Sequence, residues 1–171
     1  MYAERTFKFE NSIDNLGGLQ DQYMAVRGGL RYLCFKGEKV KDEPLKVDNQ
    51  LRNWLSSNFL LFDSGIKHSS VDVHKRVWNR IACNDVTALG GITLLKTAAH
   101  KMAAALAKGD RSDVVSAFNA VCDGVDLLDE KIHEPFRGIL QPLVADQRVK
   151  AWKALGAGAG GASSSLLKID Q

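Results

Sequence analysis

The strongest pattern in the chain is helical and lies in its middle. Between residues 86 and 108 the apolar side chains Ile92, Leu95, Ala99, Met102 and Leu106 recur three and four positions apart. That spacing places side chains on one face of an α-helix. It predicts a helix over 86–108 with this stripe turned toward the core. Gly109 and Asp110 stop it, and Ser112 caps a second helix in which Val114, Phe118, Val121, Val125 and Leu128 repeat the pattern. Upstream, Ser69 or Ser70 caps a helical stretch reaching about residue 84, with Asp72 in its first turn. Downstream, Pro135 marks a break, and residues 136–145 read as a shorter helix or a pair of turns around Pro142.

The flanks follow other rhythms. Residues 4–14 carry a weak apolar stripe with Phe7 and Ile13, ended by Leu16-Gly17-Gly18. A short helix fits 21–26, with Asp21 near its first turn and Gly28-Gly29 as its stop. Residues 30–36 are dominated by aromatic and apolar side chains and read as a strand. A turn at Gly37 leads to a partner at 39–47, which Pro44 confines to an edge. Leu51, Trp54 and Leu55 predict a helix over 48–57, and the continuous apolar run 58–62 predicts a buried strand. Residues 149–155 and 163–169 read as two more strands around the glycine-rich run 156–161. Helices plus several non-adjacent strands, without an internal repeat, give an α+β class.

Composition narrows the picture. At 171 residues, with 45% hydrophobic and 25% charged side chains, the chain has the balance of a globular domain able to bury a core. The net charge of +3 is too mild to argue for nucleic acid or an anionic membrane surface as partner. The three cysteines, Cys34, Cys83 and Cys122, are far apart and form no Cys-x-x-Cys. They fit a reducing compartment, not a disulfide framework or zinc site. The charged start is not a secretory leader, and no apolar run approaches the roughly 18 residues of a membrane span. The expectation is a cytoplasmic protein without nucleic-acid or membrane partners.

Three segments could carry chemistry. The run Gly156 to Gly161 formally fits G-x-G-x-x-G, but strand, not helix, follows it, so a dinucleotide fingerprint is excluded on context. It is either a flexible Gly/Ala/Ser tail or a turn whose backbone approaches or supports a phosphate, because glycine lacks a Cβ and tolerates positive φ. The carboxylate of Asp21, just after paired glycines near a helix start, could accept a proton from a hydroxyl or simply complement the helix dipole. The turn Asp63-Ser64-Gly65, followed by Lys67 and His68, is either a substrate-facing loop or a solvated strand-to-helix connection. His74, His100 and His133 sit singly on helical patterns, without a His-x-x-x-His spacing, so no metal site is expected.

Taken in order, these segments resemble the C-terminal half of the GHMP small-molecule kinases, in the sugar-kinase branch acting on heptose 7-phosphate-like acceptors. The residues that carry the likeness are Gly18-Leu-Gln-Asp-Gln-Tyr-Met-Ala-Val-Arg-Gly-Gly-Leu, Leu60-Leu-Phe-Asp-Ser-Gly-Ile-Lys-His-Ser-Ser and Leu155-Gly-Ala-Gly-Ala-Gly-Gly. The branch reads G-x-Q-D-Q-Y-A-A-x-x-G-G, L-L-L-x-Y-T-G-x-x-R-S-S and G-A-G-G-G-G in the corresponding places. The resemblance implies an antiparallel sheet with several helices packed on one side, and ATP with Mg2+ as phosphoryl source. The implied acceptor is the anomeric hydroxyl of a sugar or sugar phosphate. It makes Asp21 the catalytic carboxylate and places Gln20, Gln22, Tyr23, Ser64, Lys67 and His68 at the substrate. Gly156, Gly158, Gly160 and Gly161 would support the phosphate loop.

The departures are specific. Ser64 stands for the usual Thr, Lys67-His68 for Arg, Ala159 interrupts the glycines, and Ser163-Ser164-Ser165 replaces an apolar strand start. The family's ATP-cradling Pro-x-x-x-Gly-Leu-x-Ser-Ser stretch does not occur in the 171 residues. The resemblance therefore implies residues 1–57 as a remnant of a kinase N-terminal domain bearing the Asp21 segment, and 58–171 as a C-terminal domain truncated at its end. Two functions follow as expectations. One is a partial sugar kinase completed by an N-terminal-half subunit, or self-associating. The other is a non-catalytic relic that binds a sugar phosphate or a partner.

Overall fold

The computed structural model describes residues 2–13, 17–37, 39–66, 70–159 and 162–168, with residue 70 and the last stretch described by their backbone alone. The chain divides into two compact units, Met1–Lys46 and Val47–Gln171.

In the first unit, helices α1 (Tyr2–Ser12) and α2 (Gln20–Arg27) precede an antiparallel hairpin of β1 (Arg31–Lys36) and β2 (Lys39–Pro44). Gly28 and Gly29, with φ of 62° and 70°, turn the chain out of α2, and the Gly28 N–H closes the helix on the Met24 carbonyl at 2.8 Å. Such values are cheap for glycine alone. Pro44 ends β2 opposite Arg31, where it has no ladder bond to donate, and the pairing resumes with Leu45 N–H on the Leu30 carbonyl at 2.9 Å. Tyr23, 3% exposed, meets Phe35 edge-on with ring centroids 6.0 Å apart. Arg27 and Arg31 both pair with Asp42.

The second unit opens with α3 (Asn49–Asn58), capped by Asp48, whose carboxylate accepts from the Leu51 N–H at 2.7 Å. It continues through β3 (Phe59–Asp63), α4 (Ser70–Ala82), α5 (Val86–Lys108) and α6 (Arg111–Leu128). A single 3-10 turn (Glu130–Ile132), α7 (Glu134–Ala145), β4 (Val149–Ala154) and β5 (Ala162–Lys168) complete it. The sheet runs β3-β5-β4, antiparallel throughout, with Phe59 opposite Leu167 and Trp152 opposite Leu166. The last strand in sequence is thus the middle strand of the sheet. Helices α6 and α7 pack on β4, and the core gathers Val73, Ile132, Phe136, Leu140, Val149 and Trp152. Arg76 from α4 ties the start of the 3-10 turn by donating to the buried Asp129 carboxylate at 2.6 Å. This is the α+β fold, an antiparallel sheet with helices packed against it, that the sequence implied.

The longest helix has the expected ends but only part of the expected face. Its buried residues are Ala88, Gly91, Ala98, Ala105 and Leu106, with Leu95 and Met102 half-buried between them. Ile92 and Ala99 of the expected stripe are exposed, Ile92 to 42%. The partner face on α6 is Val114, Ala117, Gly124 and Leu128. Both faces repeat at three and four, the spacing of a closely packed helix pair. The contact is made by small residues, and at its tightest point a Cβ on Gly91 would stand 2.7 Å from the Gly124 carbonyl oxygen. A stripe chosen by side-chain size selects the neighbours of that seam instead. The cap of α6 is likewise Asp110, accepting from Asp113 N–H at 3.0 Å, not Ser112.

One further expectation is corrected, and of one pair of alternatives the helix is found. Residues 59–63 do form a strand, but an exposed one. Leu60 and Leu61 are 46% and 63% exposed, because β3 is an edge strand paired only with β5 among the described residues. Residues 134–145 form one helix that accommodates Pro142 within its last turn. There the missing N–H loses a single internal bond.

Candidate functional site

The Asp21 segment lies in the first unit. Gly17 and Gly18 lead into α2, whose first turn carries Gln20 and Asp21, both exposed. The carboxylate sits where the partial positive charge of a helix start favours it. The next two side chains turn inward. Gln22, 7% exposed, donates from Nε2 to Glu10 Oε2 at 2.8 Å, and Tyr23 Oη donates to Glu4 Oε1 at 3.3 Å. Burial first, and then the Glu4 charge, push the Tyr23 phenol above its ordinary range, so it remains a donor. Gln22 and Tyr23, expected at the substrate, thus fasten α2 to α1 and hold Asp21 at an exposed helix start.

The other expected residues lie in the second unit. After β3, Asp63 Oδ1 accepts from Gly65 N–H at 2.9 Å and Ser64 Oγ accepts from Ile66 N–H at 3.2 Å. The turn is closed by its own side chains. Lys67 and His68 lie outside the described residues. In the glycine-rich turn Gly156, Gly158 and Ala159 all have positive φ. Gly158 is buried, and a Cβ there would come within 2.3 Å of Ile132 Cγ2. The Ala159 N–H donates to the Ile132 carbonyl at 2.7 Å and the Gly158 N–H to Leu155 at 3.3 Å. Those two donors face the protein, so they do not form a cradle for a triphosphate. The turn instead locks β4 to the 3-10 turn. Gly160 and Gly161 lie outside the described residues.

A cluster that the sequence reading passed over lies where α6 ends. His133 is completely buried. Its Nδ1 stands 2.8 Å from Asp126 Oδ1 and 3.7 Å from Cys122 Sγ, and its ring lies 4.8 Å from that of Trp152. Asp126 Oδ2 also accepts from Arg137 Nη2 at 2.7 Å. Burial lowers His133 below the ordinary imidazole value despite the Asp126 hydrogen bond. Burial, reinforced by Asp126 and Asp123, pushes the Cys122 thiol up to about 12. Such a thiol is no nucleophile at neutral pH. Cys122 and Asp126 stand four apart on one helix face, which is a visible signal. The 3-10 turn that brings His133 to them is not. A cavity of about 380 Å³ lined by Asn119, Cys122, Asp126, Arg137 and Trp152 adjoins the cluster. Beyond it a groove of about 740 Å³ runs past Trp54, Asn119 and Lys150, with Arg111 stacked 5.5 Å over the Trp54 ring.

The fold, an α+β arrangement with a three-stranded antiparallel sheet, is shared with kinases of the GHMP type. A D-glycero-D-manno-heptose 1-phosphate kinase from Bacteroides thetaiotaomicron superposes with TM-score 0.62 at 19% identity, over 93% of this chain and 41% of that one. The L. major mevalonate kinase, solved with R-mevalonate, gives TM-score 0.67 at 19% identity, over 91% of this chain and 46% of that one. In sequence the chain is similar to the D-glycero-alpha-D-manno-heptose 7-phosphate kinase of Campylobacter jejuni, 26% identical over 147 residues. That match covers 85% of this chain and 43% of the relative, so the chain spans less than half the length of the curated protein it matches. No family profile matches the chain. Among the described residues no helix is long and apolar enough to cross a membrane.

Proposed function

We propose that this chain supplies the acceptor-side half of an ATP-dependent sugar kinase of the GHMP type, acting on a sugar or sugar phosphate of the heptose 7-phosphate kind. The observation that carries the reading is the match to a heptose 7-phosphate kinase over 85% of the chain. Within that half, Asp21 is exposed at the start of a helix anchored by Gln22 and Tyr23. In this reading Asp21 orients the anomeric hydroxyl and accepts its proton, while the acceptor oxygen takes the γ-phosphoryl group and ADP leaves. Such transfer depends on positioning and charge placement more than on covalent chemistry by the protein. Gln20 accompanies Asp21, and Ser64, Lys67 and His68 recognise the acceptor's polar groups. The glycine turn at Gly156 and Gly158 holds the scaffold, with Gly160 and Gly161 continuing it.

The N–H groups of Gly158 and Ala159 are bonded to protein carbonyls and so are not the ones that hold the ATP phosphates in this reading. Those phosphates must be held by other groups. Residues 1–57 correspond in this reading to what remains of the kinase's N-terminal part and 58–171 to its C-terminal domain. Physically, α3 packs with the second unit, which begins at Val47.

The test is ATP-dependent phosphorylation of heptose 7-phosphate by the chain, alone and mixed with a polypeptide carrying the Gly-Leu-x-Ser-Ser loop. Turnover by the mixture is expected. Asp21→Asn should reduce kcat by about a thousandfold, roughly the contribution of a positioned proton acceptor, with the sugar KM little changed. Absence of turnover in both preparations, or an Asp21→Asn mixture as active as the parent, overturns the reading. A second reading is a sugar-phosphate- or partner-binding protein without phosphoryl transfer, in keeping with the protein carbonyls that take up the N–H groups of Gly158 and Ala159. Tight binding of ATP·Mg by the chain alone in calorimetry would exclude it.

A further inference from the structure

We propose that Cys122, Asp126 and His133 are three protein ligands of a zinc-type divalent metal site, whose remaining position opens to the cavity beside Trp152 and Arg137. The three side chains offer a sulfur, an oxygen and a ring nitrogen, all within 4.8 Å of one another. This is the mixed donor set that suits a borderline-soft cation.

One of the three separations already matches that coordination, and the other two are reached by small side-chain movements. Tetrahedral bonds of about 2.3 Å to sulfur and 2.0–2.1 Å to nitrogen place those two ligand atoms about 3.6 Å apart. Cys122 Sγ and His133 Nδ1 stand 3.7 Å apart. The nitrogen–oxygen edge of the same tetrahedron is about 3.3 Å. Nδ1 and Asp126 Oδ1 are 2.8 Å apart, a hydrogen-bond distance. Metal entry therefore displaces the shared proton, opens this contact by about half an ångström, and draws together Cys122 Sγ and the Asp126 carboxylate, which lie up to 4.8 Å apart.

The surroundings are those of a held ligand set. His133 is fully buried, which restricts its ring. Asp126 keeps its second oxygen on Arg137 at 2.7 Å, an outer contact of the kind that orients a ligating carboxylate. The thiol must release its proton on binding, so uptake should fall as pH is lowered. The cavity of about 380 Å³ supplies the route in and room for water as the fourth ligand.

The experiment is a cobalt(II) titration of the full chain carrying Cys34→Ser and Cys83→Ser, which removes the two exposed thiols. One equivalent should produce tetrahedral ligand-field bands and a thiolate-to-cobalt charge-transfer band, both displaced by zinc. In the same background Cys122→Ser should abolish the charge-transfer band, and Asp126→Asn should weaken binding at least tenfold. If Cys122→Ser does not fold, thermal melts decide. Zinc in excess over chelator should raise the Tm of the parent clearly more than that of Asp126→Asn. A missing charge-transfer band in the parent, a band that survives Cys122→Ser, or equal zinc stabilisation of parent and Asp126→Asn overturns the proposal.

Discussion

Two adjacent glycines in α5 should respond to the same substitution with opposite sign. Gly90 is exposed, and a Cβ built there meets nothing within 4 Å. Gly90→Ala therefore shows only the helix preference of alanine over glycine, a gain of about 0.8–1 kcal/mol. Gly91→Ala makes the same gain but drives its methyl group to 2.7 Å from the Gly124 carbonyl oxygen and 3.1 Å from Leu127 Cβ. The first obstacle is backbone, so the α5–α6 pair must separate rather than let one rotamer move. Overpacking of this kind costs about 1–3 kcal/mol. The net for Gly91→Ala is a loss of up to about 2 kcal/mol after the helix gain, and the two variants should differ by about 1–3 kcal/mol. For a chain this long each kcal/mol moves Tm by about 2–4 °C. Gly90→Ala should rise by about that much and Gly91→Ala fall by several degrees, followed by far-ultraviolet circular dichroism and cross-checked by urea midpoints. If both alanines raise the midpoint equally, the close approach of the two helices is wrong.

The remaining predictions concern the same unit. His133 titrates below the ordinary 6.5 because it is buried, so the unfolded chain takes up that proton more readily than the folded one. Its contribution to stability is complete above about pH 6.5 and is lost as pH falls from there toward the lowered value. Urea melts in chelator across that window should show the decline, and His133→Gln should flatten it. In the glycine-rich turn, Gly156→Ala should lose about 1–2 kcal/mol from positive φ alone. Gly158→Ala should lose about 2–5 kcal/mol, because its methyl group also collides with Ile132. Equal thermal melts for these two variants would contradict the packing of the turn.

How much was legible follows from which physical rule decides each element. The bounds of α5 could be read because Lys108-Gly109-Asp110 is a strong local stop, and Gly109 does adopt the left-handed cap at φ 73°. Its buried face could not, because hydrophobic size is a poor guide where Gly91 and Ala98 let backbones approach. The strand at 59–63 was visible from its apolar run, but burial depends on which strand lies at the sheet edge, a tertiary choice. Gln22 and Tyr23 sit beside Asp21 in sequence, yet their orientation is set by Glu10 and Glu4 of another helix. The cluster around His133 was missed because its members come from α6 and a separate turn. Only two of the three, Cys122 and Asp126, show a helical spacing.

The order of strands in the second unit also governs how it can be assembled during synthesis. Phe59 finds its partner Leu167 only after about a hundred further residues have been made. At about 5–20 residues per second, β3 leaves the ribosome roughly 5–20 s before the strand that completes its sheet. Through that interval the segment Phe59-Leu60-Leu61-Phe62 is a sticky, unpaired stretch. The helix pair α5–α6, built from near neighbours in sequence, can form in the meantime. Nascent chains are therefore most exposed to mispairing in the short period before β5 emerges, and a chaperone that guards this protein would be expected to act then.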